Sequence, residues 1–390
     1  MNIVIITPIY FIKDRNNLFH DSSAVHYLVK PWANEHNVTV IHIYSQSFGK
    51  INRYCSKQER KYYKYGYHFS ADGVDVHMCE TQRFYKQLAI LNSVQGKRVM
   101  KFVYSVMKKK GLVPDVIVSH MPTTSMYVLE HIFHGIPKIA VLHTTDVLNS
   151  QMYSSMLSKI DRVFDATYTR SKTIYNFFDA KLLSTLKDEI VYSGAPVSVN
   201  NPRILTKPIE FSILYVGRLI VRKNVDKIIL ALSYFVDKVP FKLNIYGEGE
   251  EYNKLQALAK EKLQDGKVNF VGVVPHESIL EIMETSDIFV MPSKGETLGL
   301  VYLEAMAKSN IVIGSRGEGI DGIIKNRFNG FLVNPDSVED LRDTFEYIFN
   351  MRENEFQDMS SNAYRTACEF DEDKMGRKYL NLIKKNSKMF

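Results

Sequence analysis

The sequence predicts an α/β protein of two Rossmann-like domains, each on a parallel sheet, and three observations carry that prediction. The chain has 390 residues, which at about 150 per domain makes two to three domains. Short β-branched apolar runs alternate with longer helical patterns almost from end to end. Those runs are apolar on both faces, as parallel strands are when helices cover a sheet on each side. In the first half they are Asn2–Thr7, Val38–Tyr44, Val74–Cys79, Asp115–His120, Lys138–His143 and Val163–Thr169. In the second half they are Phe211–Val216, Lys242–Tyr246, Val268–Val273, Ile288–Met291, Ile311–Gly314 and Gly330–Val333. Twelve strands exceed one compact doubly wound sheet, so two sheets of about six each are expected. The stretch Ser193–Pro208, rich in Ser, Asn, Gly and Pro, reads as the linker, dividing 1–196 from 197–373. A last helix is expected over Asp373–Lys385.

Composition narrows the class. With 45% hydrophobic and 24% charged residues, the chain can bury a sizeable core and is neither disordered nor collagen-like. Cys55, Cys79 and Cys368 are too far apart to suggest a CxxC metal site or a disulfide framework. No run approaches the ~18 apolar residues of a membrane-spanning helix. The opening MNIVIITPIYF enters a strand without a basic leader. The expectation is a reduced, soluble, cytoplasmic protein.

The net charge of +7 is unevenly spread. Between Lys50 and Lys110 many basic residues face only four acidic ones, Glu59, Asp72, Asp75 and Glu80. Tyr54, Tyr62, Tyr63, Tyr65 and Tyr67 are interleaved with them. Such a mixture suits an anionic membrane surface or a polyphosphate partner, or a solvated helix face over packed tyrosines. No groove-reading motif accompanies it, so nucleic acid is not expected.

Four segments of the second half carry candidate chemistry. In Tyr215–Asn224 (YVGRLIVRKN), Arg218 and Lys223 lie on a strand-to-helix loop, where backbone amides and two cations can clamp a diphosphate. Surface cations are common, and the pair alone does not decide. Ile245–Leu255 holds a Gly-x-Gly turn, which alone says no more than that the chain turns tightly. In Met291–Ala307 (MPSKGETLGLVYLEAMA), Glu304 follows Glu296 by eight positions, and Gly299 and Leu300 open a helix whose amides can receive phosphate oxygens. The plainer alternative is a helix capped by Thr297. Gly314–Val333 contains a literal GxGxxG (Gly317, Gly319, Gly322). A turn at Asn326–Gly330 arrives where a dinucleotide fingerprint needs a long helix, so that reading is rejected.

Together these segments resemble the retaining glycosyltransferases of family 4, with the GT-B fold. Arg218 with Lys223, the E-x7-E pair Glu296 and Glu304, and the Asn329–Gly330–Phe331–Leu332 turn carry the resemblance across the second domain. It implies two Rossmann-like domains with sheets facing a central cleft, and a C-terminal helix (374–390) crossing back to complete the first. The second domain would bind the nucleotide-sugar and the first the acceptor. Arg218 and Lys223 would hold the diphosphate, Glu296 the donor sugar and Glu304 the ribose. Gly299 and Leu300 would offer amides, and the loop at Val273 would face the base. His143, opening HTTD after the fifth first-half strand, stands where the family has a histidine near the donor sugar; Asp146 and His120 are lesser candidates. The first domain departs from the family at Phe11–Ser23, which lacks the glycine pair usual after the first strand.

The expected reaction is retaining transfer from a nucleotide-sugar, with UDP the expected base, to a lipid-linked saccharide during bacterial surface polysaccharide synthesis. Front-face transfer by preorganised cations implies no metal cofactor. The one DxD, Asp371-Glu372-Asp373, reads as helix capping, and His131 and His134 as helix residues. The basic segment 50–110 would touch an anionic membrane on its inner face. The alternatives are a GT-B-fold sugar-nucleotide epimerase and a non-catalytic nucleotide-sugar-binding protein.

Overall fold

The computed structural model describes residues 1–10, 24–47, 66–83, 93–152, 155–181, 183–197, 203 and 205–387. The loop Phe11–Ser23 and, of the basic segment, Lys50–Tyr65 and Lys86 lie outside the described residues. The chain divides into two compact units, Met1–Ser193 with Asp373–Phe390, and Gly194–Glu372.

The first unit runs β1 (Asn2–Thr7), α1 (Ala24–Val29), β2 (Asn37–Ser47), β3 (His68–Ala71), β4 (Val74–Arg83), α2 (Ser93–Lys110) and β5 (Val116–His120). It continues through α3 (Met126–His131), β6 (Lys138–Leu142), α4 (Thr144–Met152), α5 (Ser155–Val163), β7 (Ala166–Thr169), α6 (Lys172–Asp179) and β8 (Leu186–Ile190). Its sheet has eight strands in the order β3-β4-β2-β1-β5-β6-β7-β8, not the expected six. β8 (LKDEI) is too polar, and β3 (HFSA) too short, to read as a buried strand. Both sit at sheet edges, where one flank stays unpaired and polar residues are tolerated; β3 alone runs antiparallel to its neighbour. Val163, expected in a strand, instead ends α5, and His134 lies in the turn beyond α3.

The second unit runs β9 (Phe211–Val216), α7 (Val225–Ser233), β10 (Phe241–Tyr246), α8 (Tyr252–Lys262), β11 (Val268–Gly272), α9 (His276–Glu284) and β12 (Ile288–Val290). Then come α10 (Leu300–Ala307), β13 (Ile311–Ser315), β14 (Phe331–Val333), α11 (Val338–Asn350) and α12 (Glu353–Glu369). Its six parallel strands are ordered β11-β10-β9-β12-β13-β14. The order reverses between β9 and β12, and loops leaving the carboxyl ends of those two strands diverge to leave a crevice. Core residues such as Ile213, Phe289 and Phe345 are fully buried; the Phe211 ring lies 4.7 Å from Phe349 and 6.1 Å from Phe356 between centroids, and Phe235 meets Phe349 edge-on at 5.1 Å.

The last helix, α13 (Glu372–Ser387), packs within the first unit. Its apolar stripe Met375, Tyr379, Leu380 and Ile383 is buried, and Asn386 donates to the Tyr168 hydroxyl at 2.6 Å. Trp32 Nε1 donates to the carbonyl of Gly376 at 2.7 Å, and its ring meets Tyr379 edge-on at 5.0 Å. Glycine is required for that approach: a Cβ on Gly376 would stand 2.9 Å from Pro31 Cγ and 3.0 Å from the Leu28 carbonyl oxygen. Among the described residues no helix is long and apolar enough to cross a membrane.

Because Trp32 is the only tryptophan, its emission reports this docking directly. Gly376→Val is expected to red-shift that emission and to cost about 1–3 kcal/mol as an overpacked contact, lowering the urea midpoint. An unshifted spectrum would mean that the helix does not depend on this approach.

Candidate functional site

The crevice of the second unit is built by two loops tied to each other. The loop after β9 passes through Gly217 and Arg218 to a 3-10 turn over Val221–Lys223. Asn224, in left-handed conformation at φ 54°, then opens α7. Its side-chain amide donates to the carbonyls of Pro292 (2.7 Å) and Pro335 (2.9 Å), so this strained residue is fixed to the loop after β12. The backbone repeats the tie, Lys294 N–H donating to the Arg222 carbonyl at 2.8 Å. The Gly-x-Gly turn after β10 now has a reason. A Cβ on Gly247 would stand 2.0 Å from the Gly217 oxygen, and one on Gly249 2.1 Å from the Leu219 oxygen.

Charge completes the tie. Glu296 Oε1 accepts from Lys223 Nζ at 2.7 Å and from Arg222 Nη1 at 2.8 Å. The Glu296 side chain is 14% exposed and that of Lys223 10%, while Arg222 is half open at 42%. Burial pushes the Glu296 carboxyl up, but the neighbouring Lys223 and Arg222 charges outweigh it and hold the carboxyl below its ordinary value. Burial also dominates for Lys223 and lowers it, only partly offset by Glu296. Both directions follow from one pair: the carboxylate has two cations, the ammonium one anion. Arg218, five residues before Lys223, is exposed and makes no ion pair among the described residues. Beneath the loop, Glu318 accepts from the Glu296 N–H at 2.9 Å, and burial raises its carboxyl. A Cβ on Gly319 would stand 2.1 Å from the Thr297 oxygen, so that glycine of the GxGxxG string serves loop packing.

Helix α10 begins at Leu300 with Gly299 (φ 77°) at the N-cap position, in place of the Thr297 cap that the sequence suggests as an alternative. Within α10, Glu304 is buried and accepts from His276 Nε2 at 3.0 Å. The bond to Glu304 raises the His276 imidazole above its usual value, burial working against it. Val273, three residues earlier, is 44% exposed just beyond β11. Asn329 is structural: its amide donates to the Ile323 carbonyl and Thr366 Oγ1, and its oxygen accepts from Lys325 N–H.

His143 belongs to the first unit and is buried, Nε2 lying 3.1 Å from His120 Nδ1. His120 Nε2 is 3.2 Å from the Tyr379 hydroxyl. Burial pushes both histidines well below their usual value, with Arg170 adding to it, so the rings are neutral and share one proton per contact. Asp146 accepts from His143 N–H at 2.8 Å and from Thr123 Oγ1 at 3.2 Å, yet full burial raises it to about 7. Among the described residues no three His, Cys, Asp or Glu side chains gather as metal ligands.

The structure thus brings Arg218, Lys223 and Glu296 to one crevice and sets Glu304 with His276. Arg222, Glu318 and His276 were missed by sequence reasoning. Their contacts span 74, 22 and 28 positions, and no local pattern encodes them.

Residues 200–366 match the family model described as Glycosyl transferases group 1. An uncharacterized glycosyltransferase of Methanocaldococcus jannaschii is 36% identical over 132 residues, 33% of this chain and 34% of that protein. The sulfoquinovosyl transferase of Arabidopsis thaliana is 34% identical over 146 residues, 36% of this chain and 27% of that one. The first curated relatives are matched over 34% to 60% of their length. Among solved structures, sucrose-phosphate synthase from Thermosynechococcus elongatus superposes with a TM-score of 0.75 at 16% identity, covering 99% of both chains. Anabaena HepE in complex with UDP and glucose gives 0.68 at 14% identity, covering 99% of this chain and 100% of that one. The fold is the two-domain α/β fold of GT-B glycosyltransferase structures.

Asp146 yields a pH test. Its folded value is raised, so the folded protein takes up this proton more readily than the unfolded chain. The stability it contributes is complete below about pH 4 and is lost as pH rises through about 7. The buried neutral His120 and His143 run the other way, losing stability as pH falls. Asp146→Asn mimics the protonated acid, so its melting temperature relative to the natural protein should climb between pH 5 and pH 8. A pH-independent difference would show that Asp146 is not held protonated.

Proposed function

We propose that this chain, which carries a glycosyl transferases group 1 domain, is a retaining, metal-independent family 4 glycosyltransferase. It moves a sugar from a nucleotide-sugar, a UDP-sugar the expected donor, to a lipid-linked saccharide acceptor in bacterial surface polysaccharide synthesis. The observation that carries the reading is the cation group at the switch point of the second sheet. Arg218 stands open beside Lys223 and Arg222, which Glu296 holds in place. An anionic leaving group at that crevice meets charges already positioned. In the proposed step the anomeric C–O bond to the diphosphate breaks while the acceptor oxygen bonds the same face. The departing phosphate oxygen takes the acceptor hydroxyl proton, and Arg218 and Lys223 stabilise the charge that develops there. Glu296 contacts the donor sugar, Glu304 the ribose, and the amides of Gly299 and Leu300 the phosphates. His143 of the first unit is assigned to the donor-sugar side.

Supporting the acceptor side is helix α2, whose Lys97, Lys101, Lys108 and Lys109 are exposed with Val94 and Tyr104, while Val99, Phe102, Val103 and Val106 are buried. Lys110 is occupied by Asp75. A cationic face carrying exposed apolar side chains suits peripheral contact with an anionic inner membrane surface. Replacing Lys97, Lys101 and Lys108 by Glu is expected to abolish co-sedimentation with phosphatidylglycerol vesicles at low salt. Equal recovery of both proteins would remove the membrane assignment.

The central test is thermal shift and donor hydrolysis with UDP-, GDP- and ADP-sugars in EDTA. One donor should stabilise the protein and turn over without metal. Arg218→Ala should lose about 10²–10³ in turnover, the usual loss for a preorganised charge donor, and Glu296→Ala should bind without turnover. Turnover that EDTA abolishes would overturn metal independence, and binding without turnover by the natural protein would favour a binding protein.

A further inference from the structure

Glu304 sits within α10 with its side chain 6% exposed. Among the described residues one side chain bonds it, the imidazole of His276 at 3.0 Å. A carboxylate has about four acceptor sites, and burying one with a single partner is unfavourable unless further donors arrive. His276 comes from elsewhere in the fold: it opens α9, directly after Pro275 and the loop from β11, while α10 follows β12. It remains 44% exposed. Because a carboxylate only accepts, Nε2 must carry the proton. The imidazole therefore fixes Oε1 in one direction, and Oε2 is left for a ligand's donors.

We infer that His276 is a positioning residue that sets the sugar specificity of the nucleotide site, aligning Glu304 so that its second oxygen accepts from the vicinal hydroxyls of a ribose. The inference rests on the proposed reading of Glu304 as the ribose contact. Two hydroxyls on neighbouring carbons present two O–H donors on one side of the ring, which one oriented carboxylate can receive. An unheld carboxylate can rotate, and rotation lets a one-hydroxyl ring bind nearly as well. A site built to receive a hydroxyl rejects the analogue lacking it, because the acceptor is left buried and unpaired.

The experiment titrates the intact chain calorimetrically with UDP, GDP and ADP, then with the 2′-deoxy form of whichever binds. The natural protein should prefer the ribonucleotide by about tenfold or more, and His276→Ala should narrow that to within about threefold. His276→Gln, whose amide can reach the same oxygen, should keep most of the preference. His276→Phe, which fills the space without a donor, should behave as alanine does and serves if the alanine variant does not fold. Arg218→Ala should weaken both forms equally. Discrimination intact in His276→Ala and His276→Phe would overturn the inference and leave the nucleotide reading standing. Failure of the natural protein to bind any nucleoside diphosphate would overturn both.

Discussion

The second unit is organised around one buried charge, the Glu296 carboxylate and the two cations that hold it. Removing a carboxylate from water is costly, and here the cost is met by Lys223 and Arg222 on the same oxygen. That constraint fixes more than a pair. It requires the loop after β9 to turn back at Asn224, whose left-handed backbone is secured through Pro292 and Pro335. It also requires that loop to lie on the turn after β10 at backbone contact, which only glycine at 247 and 249 permits. The same logic places Gly319 beneath Thr297. Rigidity at the crevice is assembled from close backbone approaches, then locked by charge.

The first unit treats polar groups differently. His120, His143, Asp146 and Tyr379 are all but withdrawn from solvent, and burial drives each of them toward its neutral form. Only Arg170 must keep its charge there, and burial lowers even that guanidinium to about 10. Its Nη1 finds the Val191 carbonyl at 2.9 Å, and Nη2 the Ser193 hydroxyl. A low-dielectric network of neutral donors and acceptors specifies one arrangement, because each unmatched group is penalised. Tyr379 draws the C-terminal helix into that arrangement, so the helix is held by polar matching as well as by Trp32 and Gly376.

Much of this was legible in the sequence, for a physical reason. Strands buried on both faces must be apolar throughout, so β1, β5, β9 and β13 announce themselves. β8 was not legible because one edge of it faces water and its residues are half polar, and β3 because four residues carry too little pattern. That Arg218, Lys223 and Glu296 lie on loops at strand ends was legible because ligand sites on doubly wound sheets are expected there, which narrows the search to a few loops. Arg222 looked no different from any surface arginine, and nothing in His276 marks it as the partner of Glu304. Such pairings are set by how α9 and α10 lie together, and that is a tertiary fact.

The charge group also bears on how a diphosphate donor, as proposed, would enter. Lys223 and Arg222 both bond Glu296, whereas Arg218 is exposed. In the proposed reading an incoming diphosphate would meet Arg218 first and would share the other two cations with a carboxylate. Sharing weakens each contact, but it removes the ordering that free Lys and Arg side chains would undergo on binding. The carboxylate thus holds the two cations together on one oxygen. Under the proposed reading, charge on the leaving phosphate would grow as the glycosidic bond breaks, and fixed cations would respond without reorganising. In that reading Glu296 would temper donor binding and that later gain alike, and its contribution would be the ordering of Lys223 and Arg222 on one oxygen.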